Sequence, residues 1–506
     1  MNDKFDELAK ATAKPVTRLG ALKEFGAGLA LLGAAVLELC LCADAASTSS
    51  ATITQNFTGS SNLECPDGAF CVKSDATGVA GPNHFVEMVN NHYAIYLKNG
   101  GTQLLSSSAD DFWVSTGVSL APKEHALDPQ MLYDPAVRRW LASALDVFND
   151  NGINADQGRD LFFAISRSSD PTEGWNGFRI HLTSNHDGHA LGLNGVGVYV
   201  RVSEFAAQNP WTGHDGPFTA HTFLVFPKAD LLLSTPTLAR MTALTIPAPN
   251  LISSAGGWPR PVVDMDNGGM PEAVLSITNQ PVPTFGVFKR SDILGPITAP
   301  TLDTGNSPAD KIIFGTSAYG ISPPAPQPDS RIAPIDVGYP AHQSPVVMKS
   351  GEIWSVLNAV DDGSGRGTIH WLRMSAAANA IIEEGFIGDP ELSLFYPSIA
   401  LNGKGDVVIG CNGSGPNAGQ FASSYAIVGQ TRGGHTVFGI PLLLKLGTAS
   451  FDQPTSEAPG SQVAQWGDYS TTTLDPEDPY TFWTIQQCAT GKTTWSTQIT
   501  ALTIAH

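Results

Sequence analysis

One hydrophobic pattern recurs along the chain: an apolar run of four to six residues, a tight turn rich in Gly, Asn and Asp, and a second run heavier in aliphatic and aromatic residues. It begins at His84 (HFVEMVNNHYAIYLKNGG), Asp128 (DPQMLYDPAVRRWLASAL), Leu191 (LGLNGVGVYVRVSEF) and Arg260 (RPVVDMDNGGMPEAVLSITN). It begins again at Ser344 (SPVVMKSGEIWSVLNAV), Tyr396 (YPSIALNGKGDVVIGCNG) and Asp468 (DYSTTTLDPEDPYTFWTIQQ), making seven units. Turns such as NGKGD, KSGE and DMDNGG supply residues that tolerate positive φ, as hairpins require. Pro129, Pro261, Pro345 and Pro397 lie at or beside a first run, where a proline removes no central ladder bond.

Between the hairpins lie further strand-like runs: DLFFAISRSSDP, HTFLVFPKADLL, PTFGVFKRSD, GTIHWLRMS and SSYAIVGQTR. Each completes a unit of about four strands, which still has two apolar faces to bury. Radial stacking of such units meets that need. The predicted fold is therefore all-β, a single β-propeller of about seven blades. A pair of β-sandwiches would not account for seven recurrences. The Pro-rich GTSAYGISPPAPQPDSRIAP, from Gly315, reads as a loop, because consecutive prolines cannot join ladders. The last run, TTWSTQITALTI, is expected to close the final blade with help from the region around Phe70 to Lys73, protecting the free edges.

Composition agrees: 51 Gly, 36 Pro and only 15 % charged residues in 506 fit many short strands and turns. The opening carries Lys14, Arg18 and Lys23, then an apolar run from about Phe25, then Ala43, Ala45 and Ala46. That is the order of a secretory signal. TRLGALK is a degenerate twin-arginine motif, with Leu19 in the second arginine's place. Glu38 interrupts the apolar run and argues against a stable membrane span. The expected organisation is a signal peptide over 1–46, a lead segment over 47–80 with a Cys65/Cys71 loop, and the propeller over 81–506. The expected location is secreted or periplasmic, and the expected state a monomer.

Removing 1–46 leaves 23 basic against 41 acidic residues, a net charge near −18. Such a surface disfavours nucleic acid and anionic lipid. Four cysteines remain, Cys65, Cys71, Cys411 and Cys488, an even count that favours disulfides in an exported chain. Cys65 with Cys71 and Cys411 with Cys488 is the expected pairing, with four buried thiols as the alternative.

GPNHFVEMVN, DPQMLYDPAVRRWLAS, DPELSLFYPSIALNGKGDVVIGCNGSG and QWGDYSTTTLDPEDPYTFWTIQQ together resemble a group of uncharacterised bacterial secreted proteins with a sialidase-like β-propeller. The resemblance spans nearly the whole exported chain and implies fold and export. It brings no established activity. Catalytic sialidases carry Asp-box turns and an arginine triad, and neither pattern is assignable in this sequence.

If the first strand of each blade lines the channel, its starting residues meet at one mouth. The units place Asn83, His84, Asp128, Trp258, Arg260, His342, Gln343, Tyr396, Asp468 and Tyr469 there. Trp258, Tyr396, Trp466 and Tyr469 would offer aromatic faces to sugars. The leading expectation is an exported propeller that binds a glycan or another extracellular ligand at the channel mouth. One alternative is a glycan-directed hydrolase using Asp128 and Asp468, paired about 5 Å or about 6.5–9.5 Å apart. Another is a scaffold in which these polar groups only tie blades together.

Metal candidates are weaker. Asp264 and Asp266 in DMDNGGMPE partly match an oxygen-ligand calcium loop, but a hairpin turn is the favoured reading. A structural calcium is the one cofactor considered. His181, His186 and His189 have no accompanying zinc motif. GTSAYG lacks nucleophile-elbow spacing and GSGRG precedes no helix pattern, so neither indicates a serine nucleophile or a phosphate loop.

Overall fold

Strand after strand in this chain is apolar on both faces, and the architecture follows from where those faces go. The computed structural model describes residues 51–64, 71–149, 155–206, 216–247, 257–277, 285–303, 312–360, 363–453 and 462–505. Their strands form antiparallel meanders. The first is Thr77–Ala80, His84–Val89, His92–Leu97 and Gln103–Ser108; the second is Glu124–Asp134, Arg139–Asn149, Ala155–Ser166 and Trp175–His181. The third is Asn185–Leu193, Gly197–Phe205, Phe218–Pro227 and Thr242–Pro247.

In the fourth, Gly257–Asp264, Glu272–Ile277 and Phe285–Leu294 are followed by two edge segments, Thr301–Asp303 and Ile312–Ala318. The fifth is Val346–Lys349, Glu352–Ala359, Thr368–Ser375 and Ala380–Ile387. The sixth joins Ser393–Leu401, Asp406–Ser414 and Ser423–Arg432 to the edge segments His435–Phe438 and Leu442–Lys445. The seventh runs Thr471–Leu474, Thr481–Ala489 and Trp495–Ile504, and its fourth strand is Ala51–Ser61 from the other end of the chain.

Each meander packs its two faces against its neighbours in sequence. On His84–Val89, Val86 and Met88 join Trp113, Trp140 and Phe162 of the next layer. Phe85 and Val89 point the other way, to Trp483, Ile485 and Ile499 of the seventh meander. Alternation of period two thus assigns one set of side chains to each neighbour. Phe163 stacks on Phe226 at 4.8 Å between the second and third meanders. Tyr199, Phe223, Val274 and Ile293 fill the next layer, Leu275, Phe288, Leu357 and Leu372 the one after. Trp371, Ile409 and Ile427 lie between the fifth and sixth, and Val408, Phe482 and Leu502 between the sixth and seventh. The arrangement is β-propeller-like.

The first strands of the meanders are mutual neighbours in order, and Thr471–Leu474 returns to Thr77–Ala80, where Thr471 Oγ1 lies 3.3 Å from Thr77 Oγ1. Val262–Asp264 pairs in parallel with Val346–Met348.

Several expectations need correction. The partner of Trp495–Ile504 is Ala51–Ser61, in antiparallel register from Ala51↔Ile504 to Ser61↔Ser496, and not the region around Lys73; Phe70 lies outside the described residues. The unit starting at His84 is the second and third strands of its meander, because the short first strand Thr77–Ala80 precedes it. Part of the Pro-rich stretch, up to Ala318, belongs to a strand. Cys411 and Cys488 are free and buried, so they form no disulfide with each other. Their thiols are pushed up by burial. Cys71 is disulfide-bonded, and Cys65 lies outside the described residues, as does the expected leader.

Candidate functional site

Five of the seven first strands carry a backbone irregularity at their start. Register shifts fall between Leu127 and Gln130, Asp187 and His189, Gly257 and Arg260, and Phe395 and Ser398. At or beside them the chain turns left-handed: φ is +55° at Asp128, +63° at Gly188, +51° at Trp258 and +48° at Tyr396. Asp75, two residues before Thr77–Ala80, has φ +44°. Four of these five are not glycine, and two are bulky aromatics for which this region is sterically costly. Such conformations persist only where the surroundings over-determine them, and they concentrate at functional sites.

Polar side chains from the preceding meander fix these turns. Asn90 Oδ1 accepts from the Asp128 amide at 2.9 Å, while its Nδ2 donates to Asp75 Oδ2 at 2.7 Å. Asn358 Oδ1 accepts from the Tyr396 amide at 2.8 Å. Ser143 Oγ meets His189 Nε2 at 2.7 Å. The inter-blade ties expected for mouth residues therefore exist, made chiefly by second-strand residues that sequence reading did not single out.

On one side of this mouth lie carboxyl groups. The Asp468 amide donates to Asp75 Oδ1 at 2.7 Å, and Lys73 Nζ pairs with Asp468 Oδ2 at 3.1 Å. Burial, and then the Asp468 charge, push Asp75 up to about 7. Asp128 is raised well above the ordinary carboxylate range by burial, then by Asp75, Asp187 and Asp468. The residue is half-buried. Tyr469 donates to Pro129 O at 2.7 Å; burial, Asp75 and Asp128 raise its phenol.

A basic group belongs to the irregular strand start at Trp258. Arg260 is buried, donating from Nε to His342 O at 3.1 Å and from Nη2 to Gln343 O at 2.9 Å. Its Nη1 has no partner among the described residues, and burial pushes the guanidinium down to about 10. Arg201 donates to Pro259 O at 2.9 Å and lies over Trp258, 5.7 Å from the ring centroid. Burial, then Arg260, bring it down to about 9. Neither ring nitrogen of His342 is hydrogen-bonded among the described residues; burial, Arg260 and His370 push it down to about 3. Desolvated cations without full hydrogen bonding are expensive. An anionic or polyhydroxylated ligand would relieve that cost.

Asp128, Trp258, Arg260, His342, Tyr396, Asp468 and Tyr469 all belong to first-strand starts or the turns that hold them, as expected. His84 does not: it begins a second strand beyond the turn, where its carbonyl accepts from the Gly81 amide at 2.8 Å and its Nδ1 is 4.0 Å from Asp170. Trp466 is no sugar platform, because its ring is 1 % exposed and packs edge-on against Phe451 at 5.1 Å, with Nε1 on Asn412 Oδ1 at 3.0 Å. The Tyr396 ring, 2 % exposed, is likewise core. Asp75, Lys73, Asp187 and Arg201 are the residues sequence reading missed. A lone arginine inside the apolar VYVRV is the signal that marks Arg201.

Asp264 and Asp266 behave as turn residues. Asp264 accepts from the Asp266 and Gly268 amides at 2.8 and 2.9 Å, and Asp266 pairs with Lys349 at 3.3 Å. The three histidines are tied to protein groups: His181 to the Asp160 carboxylate, His186 to Asp146 and the Asp160 carbonyl, and His189 to Ser143. Among the described residues one trio, Glu124, Asp146 and Asp160, has metal-like spacing. Arg179 already bridges Glu124 and Asp160.

An all-β, β-propeller-like protein with buried charged groups beside the starts of its first strands is the class that fold and site define. No family model matches the chain, and no curated protein matches it. Similar solved structures include a Synechocystis apocarotenoid oxygenase variant, 9 % identical at a TM-score of 0.42, covering 74 % of this chain and 72 % of that one. A Dyadobacter fermentans protein of unknown function is 10 % identical at 0.36, over 77 % and 97 %. A Trypanosoma rangeli sialidase mutant displaying trans-sialidase activity is 10 % identical at 0.34, over 74 % of this chain and 53 % of its own. At such scores the likenesses carry no functional argument.

Proposed function

We propose that the protein is an exported, monomeric β-propeller of seven blades that binds a small polar ligand, with glycans the first class to test, at the mouth formed by its first-strand starts. The observations that carry this reading are the raised carboxyls of Asp75 and Asp128, an Arg260 whose Nη1 has no partner among the described residues, and backbone held left-handed at Asp75, Asp128, Trp258 and Tyr396. A merely packed channel has no need of buried, incompletely bonded charge at strained positions. Closure of the ring is supported by the apolar layer shared between the seventh and first meanders and by the pairing of Ala51–Ser61 with Trp495–Ile504. Removal of 1–46 on export and a Cys65–Cys71 bridge complete the reading.

Hydrolysis is the second reading, favoured by one further observation. Asp128 is driven toward its protonated form, whereas Asp468 is half-exposed and paired with Lys73. Carboxyls in such contrasting settings suit an acid and a base. Screening the full-length protein against neutral and acidic glycans and chromogenic glycosides, beside Arg260→Met and Asp128→Asn, tests both. Binding lost in Arg260→Met supports the ligand site; turnover lost in Asp128→Asn supports hydrolysis. Failure of the folded wild-type protein to bind any of them counts against the glycan assignment.

A further inference from the structure

The loop that supplies the acceptors for Arg260 also presents an aromatic ring to solvent. From residue 336 to 344 the chain is pinned repeatedly: the Asp336 amide donates to Ala464 O at 2.9 Å, the Gly338 amide to Asp336 Oδ1 at 3.0 Å, and the Ala341 amide to Tyr339 O at 2.8 Å. Asn358, which also holds the Tyr396 amide, donates from Nδ2 to Val337 O and to Gln343 Oε1. His342 O and Gln343 O accept from Arg260, and Ser344 Oγ donates to Pro397 O at 2.7 Å. At the apex Gly338 runs left-handed, φ +68°, and passes so near Tyr396 that an added Cβ would lie 3.2 Å from its ring. Pro340 restricts the backbone of the residue before it. Tyr339, held between the two, is 71 % exposed, and among the described residues it is the one Phe, Tyr or Trp that stands mostly in solvent.

Charged groups beside it are accessible as well. The Tyr396 phenol is raised well above its ordinary range by burial, then by Asp468, Asp336, Asp75 and Tyr339, so these four lie within electrostatic reach of one buried ring. The Asp468 side chain is 45 % exposed, and that of Lys73, its partner at 3.1 Å, is 27 % exposed. An aromatic face, a carboxylate and an ammonium therefore share one neighbourhood, each with surface open to a ligand.

Resting on the reading of the mouth as a glycan site, we propose that Tyr339 is its platform: the C–H face of an uncharged pyranose stacks on the ring while its hydroxyls donate to Asp468 and accept from Lys73. Tyrosine supplies a large contact area with little rotamer freedom to lose. Its apolar body and polar tip suit a sugar that is apolar on its face and polar at its edge. Asp75, Asp128, Asp336 and Asp468 gather about Tyr396 and Tyr469, and Lys73 is already paired. An acidic sugar would bring like charge to this neighbourhood, which is costly, so the ligand class is neutral.

Calorimetric titration of the full-length protein with two neutral sugars, cellotetraose and mannotetraose, and with the acidic tetragalacturonate tests this. Saturable binding of at least one neutral sugar is expected, about tenfold or more tighter than that of tetragalacturonate. It should weaken about tenfold or more in Tyr339→Ala and stay within about twofold in Tyr339→Phe. Neither substitution removes a backbone acceptor of the loop, so thermal midpoints should match the wild type. Binding lost together with a lowered midpoint would make Tyr339 structural and count against the platform. Neutral-sugar binding unchanged in Tyr339→Ala overturns the platform, and Arg260→Met then decides the mouth reading separately. Tetragalacturonate bound as tightly as the neutral sugars overturns the neutral class. If no sugar binds the wild type, the mouth reading falls and the platform with it.

Discussion

Asp75 concentrates the chemistry of the mouth: it is buried, left-handed, holds the Asp468 amide, and is raised to about 7 by burial and by Asp468. A carboxyl whose folded value exceeds its unfolded value binds more protons when folded. Its stabilising contribution is full below about 3.8 and is lost as pH rises to about 7. Asp468→Asn removes the second cause, so denaturant midpoints measured from pH 4 to pH 8 should fall less steeply in that variant. An unchanged slope would show that Asp468 does not act on Asp75. Asn358→Ala leaves the Tyr396 amide without its acceptor, and equilibrium unfolding should register a loss of about 1–3 kcal/mol. Asp128 and Asp468 were legible because a carboxylate opening an apolar run stands out. Asp75 was not, because its strand, TGVA, is too short and small-residued to show a period.

At the scale of elements, hairpins with turn chemistry such as NGKGD were readable, since glycine and asparagine mark a reversal wherever the strands go. Ala51–Ser61 was not read as a strand of the last unit, for its partner is more than four hundred residues away and no local pattern names it. Phe57 shows what that strand contributes: its ring lies 5.4 Å from Tyr96 and 6.4 Å from Trp483, joining the first and seventh meanders. Phe57→Ala should therefore cost about 2–3 kcal/mol in a denaturant titration, whereas a change at a dispensable lead segment would cost nothing. Behind the same strand, Gly59 leaves room for buried Glu87, whose Oε2 would lie 2.7 Å from any Cβ added there. The cysteine count pointed to two bridges, but Cys411 and Cys488 sit in strands as buried thiols. Alkylation followed by peptide mass spectrometry should label both only after unfolding.

For the whole molecule, recurrence predicted the architecture because each unit needs apolar neighbours on both sides, and the apolar layers run through every consecutive pair and back to the first. Function was less legible: side chains that look alike in sequence divide into apolar core, as with Trp466, and buried polar groups at irregular strand starts, as with Asp128 and Arg260. That division depends on how each bulged strand sets its register, and a one-residue shift reverses it. The central claim is that the mouth takes a ligand which completes Arg260. Calorimetric titration of the wild-type protein and Arg260→Met with the ligand that scores highest in the glycan screen tests it most directly. Saturable wild-type binding that weakens at least about tenfold in the folded variant is the predicted result; equal affinity in the two proteins, or no saturable binding in either, would contradict it.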